Sequence, residues 1–208
     1  TVFSFHPVKI VTTAEGGATL TNDETLANKM ALYRSHGITR DESLMENTPH
    51  GSWYYEQVDL GFNYRMTELQ AALGVSQMAR LEEFVTTRHR LASRYYEKLN
   101  DLPIALPYQL PDTYSGLHLF VIRLDLSRIS KTHKDVFDEL RAQGIGVNLH
   151  YIPVHLQPYY QRMGFKLGDF PQAESYYTNA ISLPMFHGMT DEQQDEVICK
   201  LTDILMGK

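Results

Sequence analysis

The 208-residue sequence has few cysteines, no long apolar run and no excess of positive charge. Its one cysteine, Cys199, cannot form an internal disulfide, which favours a reducing compartment such as the cytoplasm. No stretch approaches the roughly 20 apolar residues that a membrane-spanning helix needs, and we expect no signal peptide. The net charge of −6, without a long basic run, argues against binding to a nucleic-acid backbone.

The chain also lacks internal repeats, low-complexity segments and an initial methionine. It begins at Thr1 and enters a predicted strand region almost at once, so we expect it to be part of a longer polypeptide. An apolar share of 43% and a charged share of 21% are typical of globular proteins. This length can bury a sizeable core.

The first region, residues 1–100, alternates short β-branched runs with helical patterns. The runs 8–12 (VKIVT) and 17–21 (GATLT) flank a Gly-Gly pair and predict a hairpin. Residues 38–60 are polar and predict a long loop. Thr67 and Gln70 have the spacing of a capping box at the start of a helical pattern. The predicted helices cover residues 23–35 and, with a kink, about 67–99.

The second region, residues 101–208, begins after a proline-rich break at Pro103, Pro107 and Pro111. Strands and helices then alternate, which predicts a small α+β domain with its own core. The predicted strands are 117–124 and 145–151, and the predicted helices are about 132–143, about 171–181 and 191–206.

Lys9 lies in the stretch SFHPVKIVTTAEGG, residues 4–17, among apolar and small residues. A lysine reacts with a carbonyl only when it is unprotonated, and burial by its neighbours would lower its pKa. Ser4, Thr12 and Thr13 supply hydroxyls that could hold a phosphate while the lysine holds an aldehyde, which is the pairing that pyridoxal phosphate (PLP) requires. A solvent-facing lysine at a strand edge explains the same residues, and local chemistry alone favours that interpretation.

The same stretch resembles the lysine segment of the DegT-like nucleotide-sugar aminotransferase family, a branch of the fold-type I PLP enzymes. Three later segments resemble family segments in the same order: RSHGITRD (34–41), GFNYRMTELQAALG (61–74) and GIGVNLHYIPVHLQPYY (144–160). Within the family, the sequence of these segments is most similar to the branch that aminates a UDP-linked deoxy sugar during pseudaminic acid biosynthesis. Some relatives carry histidine at the lysine position and dehydrate sugars, so Lys9 favours transamination.

The resemblance implies a role for each matching residue. Lys9 would form the Schiff base with PLP and move the proton during transfer from an amino acid, probably glutamate, to the 4-keto carbon of a UDP-linked deoxy sugar. Ser4 would bind the cofactor phosphate. Asn63 would reach the phosphate of a neighbouring subunit, which implies a homodimer with shared active sites. Asn63 could instead be a turn residue.

The remaining candidates keep two interpretations each. The resemblance implies that His150, Tyr151, Ile152 and Pro153 line the sugar-nucleotide pocket, although His150 and the later His155 could be packing histidines. Arg65 could pair with a carboxylate or a diphosphate, or could lie free on the surface. The aromatic run 53–55 (WYY) could stack on a base or sugar, or anchor its loop at an interface. The histidines and Cys199 are too few for a metal site.

The family places the acidic partner of the pyridine nitrogen upstream of the lysine, and the chain contains no such segment. The resemblance therefore implies an α/β fold in which residues 1–100 are the C-terminal part of the PLP-binding large domain with its linking helix. Residues 101–208 would be the small α+β domain. The alternative function is a catalytically silent fragment that serves oligomerisation or nucleotide binding.

Overall fold

The computed structural model describes residues 1–207, which divide into two compact units between Leu81 and Glu82. The first unit contains two short hairpins and two helices. Its strands are β1 (Val2–Ser4), β2 (Gly17–Thr19), β3 (Ile38–Thr39) and β4 (Glu56–Gln57), and its helices are α1 (Glu24–Arg34) and α2 (Glu68–Met78).

The strands of the first unit pair as two antiparallel ribbons, β1 with β2 and β3 with β4. The prediction of a strand at residues 8–12 is wrong. Phe5 donates its N–H to the carbonyl of Gly16 and accepts from the N–H of Thr13, so the chain closes into a loop at Phe5. Residues 8–12 lie inside that loop and have no strand to pair with. The hairpin therefore forms between β1 and β2.

The two helices of the first unit begin within one residue of their predicted starts, at Glu24 and Glu68. Asp23 accepts from the N–H of Leu26 at the start of α1, and Thr67 forms the predicted capping box with Gln70 at the start of α2. The kinked helix expected up to residue 99 is two helices, because α2 ends at Met78 and α3 spans Leu81–Leu99. Neither α1 nor α2 contains a fully buried residue.

The second unit has a three-stranded antiparallel sheet in the order β5-β6-β7 and four helices after α3. The strands are β5 (Ile104–Ala105), β6 (Phe120–Leu124) and β7 (Ala180–Leu183), and the helices are α4 (His133–Ala142), α5 (Pro158–Gln161), α6 (Pro171–Tyr177) and α7 (Asp191–Met206). The predicted α+β architecture of this part is confirmed.

Two predicted elements of this unit are wrong. Residues 145–151 form one isolated bridge, between Asn148 and Ser182, on the edge of β7 that does not pair with β6. The helix predicted to end at 181 stops at Tyr177, since Ala180–Leu183 is needed as a strand whose four residues are all buried. Helix α7, in contrast, spans the predicted residues, Asp191–Met206.

The core of the second unit lies between the sheet and the apolar faces of α3, α4 and α7. Helix α3 contributes Leu91, Tyr95 and Leu99, each fully buried. Because α3 packs into this core, the units divide at Leu81/Glu82 and not at the predicted boundary near residue 100. Among the described residues, no helix is long and apolar enough to cross a bilayer.

Candidate functional site

Lys9 lies in the loop between β1 and β2, residues 5–16, which we call the lysine loop. Its backbone N–H donates to the carbonyl of His6 at 2.9 Å and closes a tight turn, and the residue is half-buried. The hydroxyl of Thr12 donates to the carbonyl of Phe5 at 3.1 Å, which ties the return limb of the loop to its start. The lysine is thus held on a hydrogen-bonded turn and not on a strand.

Ser4 lies at the end of β1, directly before the lysine loop. Its hydroxyl oxygen accepts from the N–H of His6 at 3.4 Å, and the residue is exposed. His6 also accepts from the N–H of Lys9, so one residue links the two predicted cofactor ligands. An exposed hydroxyl and an amine therefore share one short, internally bonded segment.

Thr13, named above with Thr12 as a possible phosphate ligand, anchors the lysine loop, a role that the sequence analysis did not assign to it. The side chain is 1% exposed, and its hydroxyl donates to the carbonyl of Glu15 at 2.8 Å. Its methyl group lies against Gly74 of α2, where an added Cβ would stand 2.8 Å from it. The glycine inside the helical pattern 68–78 was the available signal, since helix-interior glycine often marks a close approach.

Asn63 and Arg65 follow a segment that runs beside the end of α1. The N–H of Phe62 donates to the carbonyl of Tyr33 at 2.7 Å, and the N–H of His36 donates to the carbonyl of Phe62 at 2.8 Å. Asn63 forms an antiparallel bridge with Ser35. The backbone is thereby fixed, while the side chains of Asn63 and Arg65 are exposed.

Two contacts hold this segment in place. Gly37, at φ 70°, approaches the carbonyl of Asp59 so closely that a Cβ would stand 1.8 Å from the oxygen. Met66, next to Arg65, places its methyl group 2.8 Å from the position of a Cβ on Gly16. The segment with Asn63 and Arg65 therefore lies directly beside the lysine loop.

The long loop 38–60 is ordered around Glu56, a residue that the sequence analysis did not single out. The carboxylate accepts from the hydroxyl of Tyr54 at 2.7 Å and from the N–H groups of Glu46 and Asn47 at 2.7 and 2.9 Å. These hydrogen bonds, the one from Tyr54 first, lower the pKa of Glu56 to about 2. The carboxylate of Glu56 is buried and orders this loop, although the polar sequence of residues 38–60 predicted an irregular one.

The aromatic run 53–55 divides between support and surface. Tyr54 donates a hydrogen bond to Glu56, while Trp53 is 69% exposed and Tyr55 is 52% exposed. The ring of His50 packs edge-on against Trp53 and Tyr54. Two exposed rings are available for stacking or for an interface, so both interpretations stay open.

The predicted sugar-nucleotide segment, residues 150–153, lies in the second unit. His150 is half-buried and has its Nδ1 atom 2.8 Å from the hydroxyl of Ser182. Tyr151 and Ile152 are exposed at 69% and 47%, and Pro153 is buried. Tyr151 and Ile152 are therefore accessible to a ligand, while His150 and Pro153 pack against the protein.

His155 packs inside the protein, which agrees with its interpretation as a packing histidine. It is 7% exposed and its Nε2 atom lies 2.7 Å from a carboxylate oxygen of Glu174. Hydrogen bonds from His155 and from the N–H groups of Gly168 and Phe170 outweigh burial and lower the pKa of Glu174. Within residues 1–207, no cluster of three or more potential ligands could hold a metal ion.

The structure thus places Ser4, at the end of β1, directly before the lysine loop that carries Lys9, beside the segment that carries Asn63 and Arg65. His150, Tyr151, Ile152 and Pro153 form a second group in the second unit. The arrangement of the first group suits a covalent bond at the amine and hydrogen bonds to an anion at the hydroxyl.

Comparison with known proteins gives the chain a family. Residues 1–202 match the model of the DegT/DnrJ/EryC1/StrS aminotransferase family. The chain is 37% identical to the spore coat polysaccharide biosynthesis protein SpsC of Bacillus subtilis, with 100% of the chain and 54% of SpsC covered.

Solved structures agree with this match. PseC of Helicobacter pylori, an aminotransferase involved in pseudaminic acid biosynthesis, superposes with a TM-score of 0.87 at 30% identity, over 100% of the chain and 53% of PseC. The PMP form of Spr1654 from Streptococcus pneumoniae has a TM-score of 0.87 at 29% identity, over 100% and 53% of the two chains. The chain spans about half the length of these relatives, which is consistent with the C-terminal portion of their fold.

Proposed function

We propose that this chain, which belongs to the DegT/DnrJ/EryC1/StrS aminotransferase family, is the C-terminal part of an enzyme that uses PLP to aminate a keto sugar carried on a nucleotide. The observation that carries the proposal is the lysine loop. It holds the amine of Lys9 on a hydrogen-bonded turn directly after the exposed hydroxyl of Ser4, in the stretch that resembles the family's lysine segment.

The residues of this loop fit one wall of a PLP site. The cofactor presents an aldehyde and a phosphate, which need an amine and hydrogen-bond donors. Lys9 supplies the amine from a half-buried turn, and Ser4 supplies a hydroxyl that is exposed to a ligand. Spr1654 has been solved in PLP and PMP forms, which supports PLP as the cofactor of this chain as well.

Bound PLP supplies an electron sink that stabilises negative charge at the carbon next to the amine. Lys9 would hold the cofactor through its amine, and the same amine would move a proton at the α-carbon of the amino donor. Ser4 donates its hydroxyl hydrogen to the phosphate. The turn closed by Lys9 and His6 keeps the amine in place between these steps.

The other predicted site residues take supporting roles. Asn63 reaches the cofactor phosphate of a second copy, so the active enzyme is a homodimer, and its fixed backbone and exposed side chain suit that reach. Arg65 binds the donor's carboxylate or the diphosphate of the sugar nucleotide. Tyr151 and Ile152 contact the sugar nucleotide.

The finer assignment rests on the relatives. PseC acts in pseudaminic acid biosynthesis and SpsC in spore coat polysaccharide biosynthesis. We take the acceptor to be the 4-keto carbon of a UDP-linked deoxy sugar and the donor to be glutamate. A cytoplasmic location suits both substrates.

The test uses the full-length protein that contains this chain. With PLP it should show the visible absorption of a lysine-bound cofactor, which borohydride bleaches, and it should convert glutamate and a UDP-linked 4-keto sugar into 2-oxoglutarate and an amino sugar. Lys9→Ala should abolish the absorption and the conversion, while Lys98→Ala, an exposed lysine of α3, should leave both unchanged. Retention of covalent PLP by Lys9→Ala would refute the proposal. Failure to bind PLP would favour the silent-fragment alternative.

A further inference from the structure

A chain of hydrogen bonds joins Asn148, His150 and Ser182 in the second unit. The Nδ1 atom of His150 lies 2.8 Å from the hydroxyl oxygen of Ser182, and its Nε2 atom lies 3.4 Å from the amide nitrogen of Asn148. The backbones of Asn148 and Ser182 are also bridged, with N–H to carbonyl distances of 3.2 and 2.8 Å. Since β7 is buried along its length, Ser182 gives the histidine a rigid support.

The hydrogen bonds determine which nitrogen of His150 carries the proton. The side-chain oxygen of Asn148 accepts from the N–H of Leu149 at 2.8 Å, so the amide nitrogen is the end that faces the histidine. An amide nitrogen can only donate, and Nε2 must therefore accept. The ring is then neutral with its hydrogen on Nδ1, and it donates that hydrogen to Ser182.

The ring of His150 in turn supports Tyr151. The two ring centroids are 4.8 Å apart with an interplanar angle of 85°, an edge-to-face contact. Tyr151 is 69% exposed, whereas both nitrogens of His150 face protein groups.

We infer that His150 is a positioning residue, held neutral between Asn148 and Ser182, which orients Tyr151 as the substrate-contacting residue of this segment. This inference rests on the proposed function. The exposed Tyr151 ring suits the C–H face of a sugar, and its hydroxyl suits a sugar hydroxyl or a phosphate oxygen. In this segment His150 supports the tyrosine, and Tyr151 is the exposed aromatic residue that contacts the substrate.

The first experiment reads the ring directly. In the full-length protein with ¹⁵N-labelled histidine, the His150 signals are identified by their loss in His150→Gln. At neutral pH, Nδ1 should show the shift of a protonated nitrogen and Nε2 that of an unprotonated one. Asn148→Asp should place a hydrogen on Nε2, because a carboxylate accepts where the amide donated. A wild-type ring protonated at Nε2 would overturn the inference.

The second experiment measures the route through Tyr151. Ser182→Ala should raise KM for the sugar nucleotide about tenfold, as expected for the loss of one buried hydrogen bond, with kcat changed by less than about twofold. Tyr151→Ala should raise KM at least as much. The double variant should resemble Tyr151→Ala, because Ser182 acts only through the tyrosine. Ser175→Ala, an exposed serine of α6, is the matched control.

These outcomes separate the inference from the proposed function. Additive effects of Ser182→Ala and Tyr151→Ala on KM, or an unchanged KM in either, would refute positioning while leaving the aminotransferase assignment intact. A wild-type protein that binds PLP but aminates no nucleotide sugar would refute the substrate assignment. It would remove the proposed role of Tyr151 as well, although the NMR result for His150 would stand.

Discussion

Thr13 and Gly74 are packed so closely that the methyl group of Thr13 occupies the space beside Cα of residue 74, 2.8 Å from where a Cβ would stand. This contact connects the lysine loop to α2. Because contacts shorter than about 3 Å are repulsive for carbon atoms, a side chain at position 74 can be accommodated only if Thr13 moves. The position of the loop therefore depends on the absence of one methyl group.

Gly74→Ala should weaken PLP binding to the full-length protein about tenfold. Alanine favours the helix by about 1 kcal/mol, so α2 should persist, but overpacking costs about 1–3 kcal/mol and displaces the lysine loop. Thr13→Ser in the same protein removes the clashing methyl group, keeps the hydroxyl and should restore binding. A titration of PLP absorption measures the dissociation constants. Unchanged binding in Gly74→Ala would contradict this packing argument.

Glu56 should make the order of the loop 38–60 depend on pH. Its pKa falls from 4.5 to about 2 in the folded protein, so its ionised form is bound more tightly in the folded state. The stabilisation is complete above pH 4.5 and is lost as the pH falls from 4.5 through about 2. The fluorescence of Trp53, the one tryptophan of the chain, should report this loss of order.

Glu56→Gln is the control for this titration. The amide has the shape of the carboxyl but no charge, so the loop should be less ordered at neutral pH and its fluorescence should change little between pH 5 and pH 2. Glu42→Gln, an exposed residue of the same loop, should behave as the wild type. A wild-type fluorescence that stays constant to pH 2 would count against Glu56 as the organising residue.

Arg88 should be essential for the stability of the second unit. The residue is 7% exposed, and one guanidinium nitrogen lies 3.1, 3.1 and 3.2 Å from the carbonyls of Leu117, His118 and Met185. Burial lowers the pKa of the guanidinium. Arg88→Met should lower the free energy of unfolding by about 2–3 kcal/mol, because the carbonyls lose a charged donor.

Arg94→Met provides the comparison for Arg88. Arg94 forms a pair with Asp195 at 2.6 Å on the surface, and such pairs contribute about 1 kcal/mol or less. Urea unfolding followed by near-ultraviolet circular dichroism measures both variants in the full-length protein. Equal losses in the two variants would show that the three carbonyl contacts of Arg88 add nothing beyond an ordinary surface charge.

The sequence predicted the elements that carry their own local signals. The capping box at Thr67 and the amphipathic pattern of α7 act within a few residues, and both were confirmed. The family resemblance, carried by four ordered segments, was also confirmed. The roles of Lys9, Ser4, Asn63 and Arg65 stay predictions, since the structure shows where they lie and the chemistry must be measured.

The errors arose where distant partners decide the local conformation. The run 8–12 has strand composition, yet Phe5 pairs with Thr13 and Gly16 and leaves the run in a loop. The run 180–183 continues a helical pattern, yet β6 recruits it as a strand. Glu56 and Ser182 gave no signal of their own, because their importance comes from the groups that surround them.

The pairing of β6 with β7 makes the folding of the second unit slow to begin. Phe120 pairs with Leu183, with α4, α5 and α6 between them in the chain, so ring closure must precede most of the sheet's contacts. The buried bond from Gln194 to the carbonyl of Leu91 spans a still longer separation. During synthesis this core cannot close until α7 has left the ribosome. Until then the apolar face of α3 stays exposed to solvent or to a chaperone.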